Sequence, residues 1–230
     1  MPTTMTDVSV DPHEIAPFSS GWSLGEEAYG LLRDDLRELG AETIIEFGAG
    51  TSTVHLSHDF PDAEIWSHEH HPQYAEETRQ LVARAQGGAR VHVATSPLSW
   101  QFYGGCFFLS YTRGPLPASA DAMLVDGPPF WTRRGREACL YMSHMVLRVG
   151  GRVYLDDYRR PAEQRTAENW VEAFEGAFRI RGELATEHRM CVLEKVRESA
   201  APRMSSRHVA DATYMAMRYG VSKLRGVIPS

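Results

Sequence analysis

Apolar positions along this chain switch repeatedly between a helical spacing and short continuous runs, and that switching predicts its elements. Residues 24–39 set Leu24, Ala28, Leu31, Leu32, Leu36 and Leu39 at helical spacing, with Gly40 as the stop. The apolar run Thr43–Phe47 predicts a buried strand, followed by a turn containing Gly48 and Gly50 and a helix over 52–60. The pattern then repeats with a strand over 64–68 and a helix over 72–85. Pro72 suits the first turn of that helix, where a missing N–H has no partner to lose. A strand over 90–94 follows Gly87 and Gly88. Residues 95–119, rich in aromatics and glycine, read as one irregular loop, and a loop of that length in a compact domain is usually functional.

A strand over 122–125, a helix over 133–147 closed by Gly150 and Gly151, a strand over 152–155 and a helix over 162–175 continue the series. Residues 178–184 and 189–195 read as a final pair of strands. Alternating strands and helices predict parallel β-α-β units, while the short turn between the last two strands makes that pair antiparallel. The expected fold is therefore α/β: a mostly parallel seven-stranded sheet with helices on both faces and a final antiparallel hairpin. Residues 1–20 read as an arm, 21–196 as the domain and 197–230 as a basic tail. A helix within the tail, over 209–224, would dock on the domain or on a second copy in a homodimer.

Composition narrows the partners. A chain of 230 residues suffices for one domain with a sizeable core. Its formal net charge of -6, with no dense Lys/Arg stripe before the tail, argues against nucleic acid. No apolar stretch is long enough to span a bilayer, and residues 1–17 lack the basic start and apolar core of a signal peptide. Cys106, Cys139 and Cys191 are odd in number and far apart, which fits reduced thiols in a cytoplasm. No Cys/His cluster suggests zinc.

The candidate chemistry gathers where predicted strands end. Ile44 to Ser52 runs from a strand through a small-residue turn into a helix, and glycines there let a backbone approach a ligand closely. A tight turn with no ligand is the plain alternative. Glu69, about 20 residues further on, stands where an acid accepts hydrogen bonds from ribose hydroxyls. Thr53 occupies the third glycine position of the dinucleotide pattern, so that fingerprint is incomplete. Asp126, Asp156 and Asp157 end two neighbouring strands, and three carboxylates there need a proton or a cation; hard oxygens suit Mg²⁺. Without a metal, Asp126 would order a ligand pocket and Asp157 a turn. His70, His71 and His144 are candidate bases, with His144 more suited to structure. Aromatics from Trp100 to Tyr111, with Phe130 and Trp131, would wall a small-molecule pocket or simply pack. Arg133, Arg134 and Arg136 read first as a solvated helix face and second as an anion clamp.

E-F-G-A-G-T-S, W-S-H-E-H, L-V-D-G-P-P and L-x-x-G-G-R-V-Y-L-D-D-Y, in that order over residues 20–195, resemble class I S-adenosylmethionine (SAM)-dependent methyltransferases of Rossmann-like fold. The resemblance implies SAM as cofactor, with Glu46, Gly48 and Gly50 at its methionine end, Glu69 at the ribose, and Thr51 and Ser52 also among the cofactor-binding residues. It places Thr95 and Ser96 beside the adenine, Asp126 in the pocket, and Trp22 and Ser23 over the methionine part. The aspartates are also similar to those of metal-dependent sugar and natural-product O-methyltransferases, although Pro128 stands where that pattern carries its base. The implied reaction is O-methylation of a small hydroxylated molecule, with Asp126 and His70 managing the proton and Mg²⁺ held by Asp126, Asp156 and Asp157. Methylation of a peptide or protein at nitrogen or carboxyl, and a non-catalytic SAM-binding module, are the alternatives.

Overall fold

A computed structural model of the chain describes residues 11–18 and 24–225. A short helix α1 (Pro12–Ile15) leads to α2 (Glu26–Leu39), which ends as its sequence implies. Gly40, at φ 64°, turns the chain and donates its N–H to the carbonyls of Arg37 and Leu36. Then come β1 (Thr43–Phe47), α3 (Thr51–Asp59), β2 (Glu64–Glu69), α4 (Pro72–Ala85) and β3 (Arg90–Thr95). The next pair, β4 (Leu98–Tyr103) and β5 (Cys106–Tyr111), precedes β6 (Ala120–Val125), α5 (Gly135–Ser143) and β7 (Leu147–Leu155). The chain finishes with α6 (Pro161–Ala173), β8 (Phe178–Leu184), β9 (Met190–Lys195) and α7 (Ser206–Leu224).

Seven strands form one sheet in the order β3-β2-β1-β6-β7-β9-β8. The first five are parallel, whereas β9 runs antiparallel to both β7 and β8. Period-two alternation divides β1 between two cores. Ile45 and Phe47 pack on the face covered by α5 and α6, beside Leu140 and Trp170. Ile44 packs on the opposite face with Leu32 and Leu36 of α2. Each of these leucines is essentially fully buried, contributing about 1.5–3 kcal/mol of transfer free energy. No helix among the described residues is long and apolar enough to cross a membrane.

Two sequence expectations need correction. The stretch 95–119 is not one irregular loop, because β4 and β5 pair as an antiparallel hairpin outside the main sheet. Gly104 (φ 55°) and Gly105 (φ 89°) make its two-residue turn, a left-handed geometry that glycine adopts without steric cost. The helix predicted over 133–147 ends at Ser143, and Gly150 and Gly151 lie inside β7, beside an irregularity in its pairing with β6. At the C-terminus, α7 packs on the hairpin, with the Tyr219 ring 5.6 Å from Trp100.

Candidate active site

Backbone hydrogen bonds align the ends of the parallel strands. Gly48 N donates to His68 O (2.9 Å), Ser96 N to Glu69 O (2.7 Å), Asp126 N to Phe47 O (3.0 Å) and Asp156 N to Val125 O (3.1 Å). The glycine turn, Glu69, Thr95, Ser96 and the aspartates therefore share one edge of the sheet. Strand order reverses between β1 and β6, the kind of crevice in which open α/β sheets bind ligands.

Gly48 has φ 107°, and a Cβ there would lie 2.9 Å from Gly127 N, so both conformation and space call for glycine. A Cβ on Gly50 would meet nothing within 4 Å, leaving open space beside the start of α3. Unpaired N–H groups of a helix's first turn favour anionic or polar ligand groups. Glu46 does not line that space. Its buried carboxylate accepts from Ser52 Oγ (2.6 Å), Thr53 Oγ1 (2.5 Å) and Ser67 Oγ (2.6 Å). Burial raises its pKa above the usual carboxylate range, while the three hydroxyls oppose the rise. Glu46, with the hydroxyls of Ser52, Thr53 and Ser67, links β1, β2 and α3 beneath the turn. Thr51 opens α3.

Glu69 is nearly buried at the end of β2. Its Oε1 accepts the His71 N–H at 2.7 Å and lies 2.8 Å from His70 Nδ1, so His70 is turned toward Glu69. Thr95 Oγ1 accepts from Arg79 Nη2 at 2.9 Å. Ser96 Oγ lies 3.0 Å from His68 Nδ1, and the His68 ring stacks on Phe47. Burial pushes the His68 pKa down to about 4. Trp22 and Ser23 lie outside the described residues. The Gly48–Gly50 turn and Glu69 thus follow or end the neighbouring strands β1 and β2 on one edge of the sheet.

The three aspartates do meet. Asp126, Asp156 and Asp157 each bring a carboxylate oxygen within 4.8 Å of the others. Arg136 stands among them, with Nη1 3.0 Å from Asp157 Oδ2 and Nη2 3.5 Å from Asp126 Oδ1. It also donates to the carbonyls of Asp156 (3.2 Å) and Pro128 (3.4 Å). Burial disfavours its charge, but Asp126, Glu163, Asp157 and Asp156 outweigh that effect and hold it firmly protonated. Arg160 adds a second ion pair to Asp157 at 2.7 Å. Burial, with Asp156 alongside, drives the Asp126 pKa well up; burial, with Asp157 alongside, raises that of Asp156. The oxygen donors suit Mg²⁺ by type, yet a dication would have to settle beside a buried guanidinium already paired to them. As built, the cluster fits its arginine better than a metal.

This placement corrects the solvated-face reading of the arginines. Arg134 is buried in a two-point pair with Glu137 (2.7 and 2.5 Å), and Arg136 is buried with the aspartates. His144, at the end of α5, is buried against Ser199, away from this edge. A cavity of about 440 Å³ lies at the opposite edge, lined by Glu42, Asp62, Glu64 and Arg90, where the strands begin.

A scan against protein-family models and a search of curated proteins give no match. Solved structures do match in fold. A methyltransferase-like protein from Silicibacter pomeroyi superposes with a TM-score of 0.56 at 17% identity, covering 87% of this chain and 97% of that one. The O-methyltransferase TomG from Streptomyces achromogenes, involved in tomaymycin synthesis and solved with SAM, gives 0.58 at 15%, covering 81% and 89%. An O-methyltransferase from Bacillus cereus, solved with S-adenosylhomocysteine (SAH), gives 0.56 at 13%, covering 83% and 94%. The chain shares its Rossmann-like α/β fold with these solved methyltransferases.

Proposed function

We propose that this chain is a SAM-dependent methyltransferase acting on a hydroxyl group of a small molecule such as a sugar or secondary metabolite. The observation that carries the reading is the switch-point edge of the sheet, with the glycine turn that needs Gly48 after β1 and Glu69 at the end of the neighbouring β2. The names of the solved neighbours support O-methylation. When bound, SAM supplies an electrophilic methyl on a positive sulfonium. The protein's own tasks are then to position the acceptor oxygen in line and to take its proton.

Gly48, Gly50 and Thr51 would hold the amino-acid end through backbone groups, with Glu46 bracing them from below. Glu69 would accept from the ribose, and Thr95 with Ser96 would border the base. Trp22 and Ser23 keep their assignment over the methionine part. We read Asp126, at the centre of the edge, and His70, 2.8 Å from Glu69, as the groups that would manage the acceptor's proton. Arg136 neutralises the aspartates, so turnover is expected to survive removal of divalent cations. Mg²⁺ held by Asp126, Asp156 and Asp157 is the competing reading, favoured by their convergence within 4.8 Å.

Free buried Cys106, Cys139 and Cys191 suit a reducing cytoplasm. Exposed Tyr214, Met217, Val221 and Leu224 recur on α7 at helix-pairing spacing, which favours a homodimer through the tail. The test is SAH release with a panel of hydroxylated, amine and peptide acceptors, with and without EDTA. Turnover of hydroxylated acceptors unaffected by EDTA supports the arginine-neutralised reading. Loss of turnover on chelation, restored by Mg²⁺, supports the metal, and turnover confined to peptides rejects the small-molecule acceptor.

A further inference from the structure

Buried tyrosines in this fold usually find a carboxylate. Tyr29 donates to Asp59 at 2.8 Å, Tyr141 to Glu137 at 2.6 Å and Tyr154 to Asp35 at 2.6 Å. Tyr111, at the end of β5, is buried just as deeply, with 1% of its surface exposed, but its hydroxyl has no partner among the described residues. The ring packs 5.6 Å from Phe47 and 6.4 Å from His70, so it lies beneath the ligand edge.

The hydroxyl's position is specific. A Cβ on Gly127 would fall 2.0 Å from Tyr111 Oη and 3.2 Å from Gly48 Cα. Any side chain at residue 127 would therefore displace the hydroxyl, which sits where the Gly48 turn meets the loop after β6. Burial, then Glu69, keeps the phenol protonated, so it acts as a donor. A buried hydroxyl with an unmade hydrogen bond destabilises the fold that holds it. Its placement makes sense if the missing partner arrives with the ligand.

We propose that Tyr111 is a cofactor-binding residue whose hydroxyl, without a partner among the described residues, donates a hydrogen bond to an oxygen of bound SAM or SAH. The assignment rests on the methyltransferase reading. It predicts opposite effects of one small change. Tyr111→Phe keeps the ring and removes an unmet polar group, so the ligand-free protein should melt about 2–4 °C higher. The same variant loses the contact with the ligand, so its Kd for SAH should rise about 3- to 10-fold.

A residue that only fills the core would not produce that crossed result. Tyr141→Phe serves as the contrast, because it breaks an internal bond to Glu137 away from the ligand edge. It should lower the melting temperature and leave the SAH Kd unchanged. Thermal unfolding of the free proteins and calorimetry with SAH read both quantities. An unchanged SAH Kd in Tyr111→Phe, or a lower melting temperature in that variant, overturns the Tyr111 assignment while the methyltransferase reading stands. Failure of the wild-type protein to bind SAH overturns both.

Discussion

Arg136→Met removes the guanidinium from the aspartate cluster while keeping much of the side chain's bulk. Four contacts disappear: ion pairs to Asp157 at 3.0 Å and Asp126 at 3.5 Å, and hydrogen bonds to the carbonyls of Asp156 and Pro128. Breaking a buried ionic cluster by removing one partner costs about 3–5 kcal/mol, because the charges left behind are uncompensated. For a chain of this size that is a fall of about 6–20 °C in melting temperature. The remaining carboxyls can relieve the cost by holding protons, so their pKa values should rise further in the variant. A folded-state pKa above the unfolded value gives stability that is present at low pH and lost as pH rises. The deficit should therefore be larger at about pH 8 than at about pH 5, when thermal unfolding is followed by circular dichroism. With the guanidinium gone, excess Mg²⁺ should restore part of the melting temperature in the variant and leave the wild type unchanged. A variant that melts with the wild type at both pH values would refute the role given to Arg136, and a wild type stabilised by Mg²⁺ would favour the metal.

Glu69→Ala should weaken SAH binding by about 1–3 kcal/mol, as loss of a charge-assisted hydrogen bond does, and titration calorimetry reads the change. Glu46→Gln should destabilise the fold and weaken SAH binding together, because an amide cannot accept from all three of Ser52, Thr53 and Ser67; parallel melting and calorimetry check the coupling. His144 has its pKa pushed down to about 4 by burial, then by Lys195 and Arg113. Its folded value lies below the unfolded one, so its stabilising effect is present above about pH 6.5 and is lost as pH falls toward 4, by up to about 3 kcal/mol. His68 is depressed alike, so urea unfolding of His144→Asn across that window should show the acid loss reduced to about half and not abolished.

The parallel core was readable because each strand is a short apolar run bounded by helical spacing or glycine, from Thr43–Phe47 through β7. The hairpin was readable too. Ser99 and Gln101 alternate with Leu98, Trp100 and Phe102, and Gly104-Gly105 is a two-residue turn signal, but the density of aromatics pointed to a pocket wall instead. Glu46 announced itself before the glycines, yet sequence does not tell whether a strand-end carboxylate meets ligand or neighbouring hydroxyls. Ser67, its cross-strand partner in the β1–β2 register, is 21 residues away. Arg136 was the least legible. In T-R-R-G-R every arginine looks solvated, and what buries this one is acid delivered from the ends of β6 and β7. Tyr111 could be seen as an aromatic near the site, but an unpaired hydroxyl is a property of packing, which no local pattern encodes.

Calorimetric titration of the purified chain with SAM, SAH and NAD tests the cofactor reading at its root. Saturable one-to-one binding of SAM and SAH, with no heat from NAD, is the expected result, since Glu69 and the incomplete third-glycine motif favour a single nucleoside over a dinucleotide. Binding of NAD with no response to either SAM or SAH would contradict the assignment of this edge and the function drawn from it.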